Sequence, residues 1–380
     1  MQQRWAGRQG SATIFGLLVS ALVVIAVLIA AALAGPGRPG RGETAGGPGG
    51  GSSDGRGGEA AGIRADIRAA SVEVREFEVP GPAAGADGDT HVVTAADGVN
   101  RVGSDAVTVR SYVPSGAPWA TLVWAHGGSF VHGGLDWPEA DWVALRFAEA
   151  GVRVYSVDYA LASDTVKAPA PVNDLGAVVE WVAANSEGPL VVGGASAGAH
   201  LAVLAALGQA DRAAASSAAT SLPGAAVRAA DALVLEYPTL HRVQREDASI
   251  ADAVAELPEQ RRFRPARIAD MYGFYLGEPG ADGPADAADA TGELIAGELE
   301  SSRLALLPPT VIVNADADEL RASAEQFAEQ LRGATVPVIE SVQAGTVHGY
   351  MNRPEASAQA EADARETIAR FVEELRRILG

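Results

Sequence analysis

The chain has 380 residues, 48% of them hydrophobic, which is enough to build a sizeable core. Its formal net charge is −19, and it offers none of the clustered Lys and Arg that phosphate binding requires, so the composition excludes a nucleic-acid partner. The chain contains no Cys, which excludes disulfides, a thiolate nucleophile and a Cys-ligated metal. Any catalysis must come from Ser, His and carboxylate side chains, and we expect neither a metal nor a cofactor.

The first distinctive segment is Thr13–Ala34, an uncharged run of 22 residues after a short tail, residues 1–12. At roughly 1.5 Å per residue, a helix of this length spans the hydrocarbon core of a bilayer. The run therefore predicts a transmembrane anchor, with the N-terminus inside and the catalytic domain outside. The alternative is a cleaved signal peptide and a secreted protein, because Arg4 and Arg8 form a positive n-region and Ala32-Leu33-Ala34 resembles a cleavage site.

Residues 35–62 are rich in glycine, which makes up 13 of these 28 residues. So few apolar side chains cannot offset the entropy lost on ordering the backbone. The segment predicts a disordered linker between the anchor and a domain at residues 63–380.

From residue 63 onward, short β-branched runs alternate with Ala-rich helical stretches. This alternation predicts an α/β fold in which helices flank a mostly parallel central sheet. The predicted strands are Val107–Val113, Thr121–Ala125, Val152–Val157, Leu190–Val192, Ala232–Leu235, Thr310–Asn314 and Val336–Ser341. The predicted helices are Glu139–Ala150, Val172–Ala184, Ala197–Leu207 and Ser323–Arg332.

The loop HGGSF, residues 126–130, directly follows the second predicted strand. Glycine lets the main chain approach a bound substrate, so its N–H groups can point at a developing oxyanion. We assign Gly127 and Gly128 as oxyanion donors, together with the N–H of Ala197. Ser129 contributes its own N–H or adjusts the loop, and we expect the histidine that begins the loop to hold it by hydrogen bonds.

Residues Gly194–Gly198 match the pattern G-x-S-x-G around Ser196. The match follows the apolar run Leu190–Val192 and opens a helix-favouring stretch, which is the strand–turn–helix context of a nucleophile elbow. The simpler interpretation is a Gly-rich turn with an ordinary serine. A second match at Gly51–Gly55 lies in the predicted linker, without a strand before it or a helix after it, and is accidental.

Three segments, HGGSF, DYALASD and GASAG, resemble the hormone-sensitive-lipase-like branch of the α/β-hydrolases, the alpha/beta hydrolase fold-3 group. Its usual forms are HGGGF, DYRLAPE and GDSAGG, and the resemblance extends from about Val107 to the C-terminus. The departures are Ser129 and Ala199 for Gly, Ala195 for Asp and Asp164 for Glu. The resemblance implies a serine carboxylic-ester hydrolase that acts on small-molecule esters through an acyl-serine intermediate, without a cofactor.

A serine hydroxyl needs an imidazole to accept its proton and a carboxylate to orient that imidazole. His348 lies in a short loop after the last predicted strand, in the segment GTVHGY, which is similar to the HGF segment of the family. We predict it as the base. His200 is the rival, but it lies one helical turn after Ser196 and its ring should point away from Oγ.

The predicted acid is Asp318, in the segment ADADELR after the strand that ends at Asn314. The segment resembles the DPLRD loop of the family, and matching its Leu-Arg pair selects Asp318. Glu319 replaces the proline and Ala322 the second aspartate, so Asp316 remains the alternative.

Residues 241–307 form an excursion between two predicted strands that is far longer than an ordinary loop, and it predicts a cap. Its segment 264–276 places aromatic residues at helical spacing, either to line the acyl pocket or to attach the cap to the core. By resemblance, such caps favour short-to-medium acyl esters. Two other functions remain open: an amidase or deacetylase on the same scaffold, and a catalytically inactive module that binds a surface ligand.

Overall fold

In a computed structural model of the protein, apolar runs rich in β-branched residues form a central sheet. The structure describes residues 66–69, 72–82, 99–100, 102–219, 227–277 and 292–380. The strands in these ranges are β1 Asp66–Ala69, β2 Val72–Pro80, β3 Ala106–Pro114, β4 Ala120–Ala125, β5 Val152–Asp158, β6 Leu190–Ala195, β7 Ala232–Glu236, β8 Thr310–Ala317 and β9 Val338–Val347. Each of the seven predicted strands is present.

The described strands form one mixed sheet in the order β1-β2-β3-β5-β4-β6-β7-β8-β9. Antiparallel pairs join β1 to β2, β2 to β3 and β3 to β5, and the remaining neighbours in this order, from β5 to β9, pair in parallel. Ala125 lies opposite Gly194, and Ala195 lies opposite Glu236. Because the parallel strands end in register, the loops that follow β4, β6, β7, β8 and β9 meet at one edge of the sheet.

Helices cover both faces of the sheet, because the strands are apolar on both sides. They are α1 Asp141–Glu149, α2 Ala170–Asn185, α3 Ala197–Ala219, α4 Ala248–Ala253, α5 Pro265–Leu276, α6 Ser301–Leu304, α7 Arg321–Gly333 and α8 Ala358–Leu379. Helices α1 and α8 pack on one face, where Phe147 and Phe371 contact the sheet core around Trp124. Helices α2, α3 and α7 pack on the other.

Outside the long excursion between β7 and β8, the sequence prediction missed three described elements, β1, β2 and α8. Strand β2 alternates buried and exposed positions, with Val72 and Val74 facing the core between charged residues, as a half-exposed strand should. Helix α8 buries Ile368, Phe371 and Leu375, at the spacing of one helical face. Both patterns are legible in the sequence and support the fold at its two ends.

In its described residues, the long excursion between β7 and β8 contains α4, α5 and α6 and three short 3-10 helices, Glu259–Arg261, Gly292–Leu294 and Ala296–Glu298. Its aromatic side chains Tyr272 and Tyr275 are fully buried. Together with Phe130 they join the core on the side of α3. This excursion, which we call the cap, therefore packs onto the sheet instead of standing apart from it.

The predicted transmembrane segment, residues 13–34, and the predicted linker, residues 35–62, lie outside the described residues. Among the helices that the structure does describe, none is both long enough and apolar enough to cross a bilayer.

Candidate active site

Ser196 lies in the tight turn between β6 and α3. Its φ is +53°, a left-handed conformation that non-glycine residues rarely adopt, and its N–H donates to the carbonyl of Glu236 at 2.9 Å. The turn presses α3 against β4: a Cβ on Gly198 would lie 2.2 Å from the carbonyl oxygen of Ala125. This close approach explains why the pattern around Ser196 requires glycine, and the strained turn presents the Ser196 side chain at the sheet edge.

The structure brings the three predicted side chains into one hydrogen-bonded chain. Ser196 Oγ lies 3.0 Å from Nε2 of His348, and Nδ1 of His348 lies 2.6 Å from Oδ2 of Asp318. Asp318 is 1% exposed, and its other oxygen accepts the N–H of Leu320 at 3.0 Å. A buried carboxylate bonded to Nδ1 keeps Nε2 unprotonated and facing the serine, which is the geometry of a serine nucleophile with its base.

Asp316, the alternative acid, lies on β8 and does not reach the imidazole. Its carboxylate accepts the N–H of Gly345 at 2.9 Å and pairs with Arg321 at 3.3 Å, with 40% of the side chain exposed. Between the two candidates, only Asp318 contacts His348.

Two aromatic rings pack edgewise against the imidazole of His348. Tyr237, which follows β7, lies 4.9 Å away between ring centroids, and Phe263 of the cap lies 4.5 Å away. These contacts restrict the imidazole to the orientation that reaches both Ser196 and Asp318.

The oxyanion loop departs from the sequence prediction at Gly127. The N–H of Gly127 donates to Oε2 of Glu139 at 2.5 Å, so it is not free to bind an oxyanion. Within the described part of the chain, the N–H groups of Gly128, Ser129 and Ala197 donate no hydrogen bond. Ser129 adopts a φ of +55°, at the position where the family has glycine. Of the three predicted donors, Gly128 and Ala197 thus have a free N–H, and the N–H of Ser129 is free as well.

Sequence reasoning overlooked Glu139, a buried residue that joins three parts of the site. Its carboxylate accepts the N–H of Gly127 in the oxyanion loop and the hydroxyl of Tyr237 beside His348. Its own N–H donates to Oδ1 of Asn352, just beyond the His348 loop, at 3.0 Å. Because these partners lie far apart in the chain, no local sequence pattern marks Glu139. The only signal in the sequence is that Glu139 is an acidic residue just before α1 with no basic residue beside it.

His200 and His126 are both fully buried and away from Ser196 Oγ. Nε2 of His200 lies 3.0 Å from the carbonyl of Leu294 in the cap, and burial lowers the pKa of its imidazole to about 4. His126 stacks on Tyr159, whose hydroxyl donates to the carbonyl of His126 at 2.6 Å, and burial lowers its pKa as well. Both imidazoles are therefore neutral, and each has a structural role.

A second buried carboxyl, that of Glu236, lies beneath the site at the end of β7. Burial raises its pKa well above the ordinary range; the neighbouring carboxylates of Glu139 and Asp318 act in the same direction, and Tyr350 and Arg370 act against it. Burial therefore favours the protonated, neutral form of this carboxyl. Among the described residues, no cluster of three or more His, Asp or Glu side chains is arranged to hold a metal.

Two clefts flank the site. One, of about 550 Å³, extends from Ser129 and His132 of the oxyanion loop to Arg267 and Phe274 of α5. The other, of about 510 Å³, lies on the side of the acid loop and is lined by Phe263 and Glu319 among others. Volumes of this size accept small organic ligands.

Comparisons with known proteins agree with this geometry. The family model for the alpha/beta hydrolase fold matches residues 122–352, more than half of the chain. No curated protein matches it. Among solved structures, a bacterial heroin esterase is 26% identical, with a TM-score of 0.58 over 82% of this chain and 86% of its own. The esterase LipW from Mycobacterium marinum is also 26% identical, with a TM-score of 0.56 over 81% and 82%.

A third structure, an esterase from Pyrobaculum calidifontis, is similar in fold, with 24% identity and a TM-score of 0.60 over 81% of this chain and 86% of its own. The matching family model and the esterase neighbours give the same assignment. The chain belongs to the hormone-sensitive-lipase-like branch of the α/β-hydrolases and is a carboxylesterase-type hydrolase.

Proposed function

We propose that this protein hydrolyses carboxylic esters of short-to-medium acyl chains, with Ser196 as nucleophile, His348 as base and Asp318 as orienting acid. The observation that carries the proposal is the continuous chain of contacts from Ser196 Oγ through both nitrogens of His348 to the buried Asp318. The loop beside this chain has free N–H groups, and these can stabilise the oxyanion, which is the remaining requirement of acyl transfer.

In this mechanism Ser196 Oγ attacks the carbonyl carbon of the ester while Nε2 of His348 takes the hydroxyl proton. The imidazolium that forms is stabilised by the Asp318 carboxylate at Nδ1. The N–H groups of Gly128, Ser129 and Ala197 bind the negative carbonyl oxygen of the tetrahedral intermediate. The proton then passes from Nε2 to the alcohol oxygen, the C–O bond breaks, and the acyl-serine is hydrolysed by water through the same groups.

The limit on acyl length rests on the aromatic cluster behind the oxyanion loop. Phe130 stacks on Tyr275 with ring centroids 4.1 Å apart and also contacts Tyr272 and His200, and all four side chains are fully buried. These rings fill the space that a long acyl chain needs. The cleft that begins at Ser129 remains open, and its volume suits short and medium chains.

The test is hydrolysis of 4-nitrophenyl acetate, butyrate and decanoate by the wild type and by Ser196→Ala. We expect the wild type to hydrolyse acetate and butyrate better than decanoate, with kcat lost by a factor on the order of 10⁴ or more in Ser196→Ala. The wild-type rate should fall at acidic pH, because a protonated imidazole cannot accept the serine proton. Equal rates in the wild type and in Ser196→Ala would reject the proposal.

We also propose that residues 13–34 anchor the protein in a membrane with the hydrolase domain on the extracytoplasmic side. The support is the uncharged apolar run and the positive residues Arg4 and Arg8 before it. Protease added to intact cells should digest the domain, and recovery of the protein in the membrane fraction separates an anchor from a cleaved signal peptide. Complete protection of the domain would contradict the orientation.

A further inference from the structure

Glu319 follows the candidate acid Asp318 directly and stands where the resembling family has proline. Its carboxylate contacts the cap with both oxygens: Oε1 accepts Nε of Arg262 at 2.5 Å, and Oε2 accepts the backbone N–H of Phe263 at 3.0 Å. Only 13% of each side chain in the Glu319–Arg262 pair is exposed. A part-buried ion pair with a second hydrogen bond, here from the Phe263 N–H, fixes geometry more firmly than an exposed pair does.

Three contacts fix the position of Phe263, one at its backbone and two at its ring. Its backbone is fixed by Glu319, the guanidinium of Arg267 lies 4.5 Å from its centroid, and its ring packs edgewise on His348. Phe263 is 8% exposed. The ring is therefore a fixed boundary beside the imidazole.

The same ring lines the cleft of about 510 Å³ on the acid-loop side. The other lining residues include Gln244, Asp247, Arg262 and Glu319. Neither Ser196 nor His348 is among them. Phe263 is thus the side chain that contacts both the base and the cleft.

Ester hydrolysis determines which part of a substrate meets this boundary. The leaving oxygen must lie beside Nε2 of His348 to receive its proton, so the alcohol group extends along the His348 side of the site. The acyl group extends from the carbonyl carbon in a different direction. Phe263 therefore limits the size of the alcohol and not that of the acyl chain.

We propose that Phe263 determines the specificity of the enzyme for the leaving alcohol and that Glu319 is the residue that positions it. This inference rests on the proposed ester hydrolysis by Ser196. In the wild type, the fixed ring disfavours esters of bulky alcohols relative to esters of small alcohols. Removal of the ring joins the cleft to the catalytic groups and makes room for the bulky alcohols.

The experiment uses acetate esters of three alcohols, methyl, phenyl and 2-naphthyl, so that the acyl-enzyme is the same for all. The measured quantity is the ratio of kcat/KM for 2-naphthyl acetate to that for methyl acetate, relative to the wild type. A second ratio, for 4-nitrophenyl butyrate over acetate, holds the alcohol constant and reports on the acyl side. The variants are Phe263→Ala, Phe263→Leu and Glu319→Gln, and circular dichroism checks that each is folded.

We expect Phe263→Ala to raise the alcohol ratio by at least about tenfold, since the loss of a whole ring exceeds the effect of one methylene. Phe263→Leu and Glu319→Gln should raise it in the same direction by about threefold. All three should leave the acyl ratio within about twofold. The matched control is Glu259→Gln, which breaks the exposed pair of Glu259 with Arg264 in the same segment and should change neither ratio.

An alcohol ratio that stays within twofold of the wild type in both Phe263 variants overturns the proposal. So does a parallel rise of the alcohol and acyl ratios, because that result indicates a general loosening of the cap. If Phe263→Ala fails to fold, Phe263→Leu decides the question. Failure of the proposed function gives a different result, namely wild-type rates on every ester equal to those of Ser196→Ala.

Discussion

Ser196, Asp318 and His348 each follow the end of a strand in the parallel part of the sheet. By contrast, Phe263 reaches His348 from the cap, in the irregular segment just before α5, and Tyr272 of α5 packs against Phe130 behind the oxyanion loop. The first group is positioned by strand register and by backbone turns. The second is positioned by side-chain contacts such as the Glu319–Arg262 pair. From this difference we expect changes at the sheet edge to affect the chemistry itself and changes in the cap to affect which substrate is accepted.

The largest expected effect comes from replacing, one at a time, the two aspartates near the end of β8. Asp318→Asn should lower kcat by a factor on the order of 10⁴, because a neutral amide no longer holds Nδ1–H of His348. Asp316→Asn should change kcat by less than about threefold, since its carboxylate is 40% exposed and faces Arg321. Both are measured as kcat on one activated ester. Similar losses in the two variants would contradict the assignment of Asp318.

Substitution of Glu139 tests whether the oxyanion loop depends on its hydrogen bond to this buried carboxylate. Glu139→Ala leaves the N–H of Gly127 and the hydroxyl of Tyr237 without their buried acceptor. We expect kcat to fall by roughly tenfold to a hundredfold with little change in KM, because small displacements of the loop are costly in the transition state.

Tyr237→Phe is the matched control for Glu139, since it removes one of the two hydrogen bonds and keeps the ring against His348. It should lose less activity than Glu139→Ala, and Glu139→Gln should recover part of the loss. A rise in KM with an unchanged kcat in Glu139→Ala would show that Glu139 serves substrate binding instead.

Glu236 predicts a pH effect on stability with a definite sign. Burial raises its pKa in the folded state, so the stability that this group contributes is complete below its ordinary value of 4.5 and is lost as the pH rises toward the raised value. Glu236→Gln removes this dependence. We expect equal melting temperatures for variant and wild type near pH 4, and a variant that melts higher by on the order of 5 °C at pH 8. A difference that is constant with pH would contradict a raised pKa for Glu236.

Ser129 is expected to show the smallest effect. Its φ of +55° is a conformation that glycine adopts without strain, so Ser129→Gly relieves the loop but adds entropy to the unfolded chain. The two terms nearly cancel, and we expect the free energy of unfolding to change by less than about 1 kcal/mol. The kcat should stay within about threefold, because the N–H of residue 129 remains. A loss of activity as large as that of Glu139→Ala would assign a role to the Ser129 hydroxyl.

The sequence anticipated the features that depend on contiguous residues. The turn around Ser196 was legible because a strand, a tight glycine-flanked turn and a helix follow one another within about 15 residues. The His348 and Asp318 loops were legible because each follows a predicted strand and resembles a loop of the family. The catalytic roles of these residues remain predictions until the variants are measured.

Other features were decided by contacts between residues far apart in the chain. Only the tertiary structure shows that the N–H of Gly127 donates to Glu139 and that the N–H of Ser129 is free. In the sequence, Glu319 is only a departure from the family loop. The tertiary structure shows that it pairs with Arg262 of the cap.

The sequence by itself thus determined the fold class, the seven strands from β3 to β9 and the candidate catalytic residues, because local turn geometry and apolar runs are properties of neighbouring residues. The tertiary structure decided which N–H groups are free, which aspartate meets His348 and which cap side chain borders the base. These depend on the packing of the cap and of α1 against the sheet edge, and packing joins side chains that no local pattern connects.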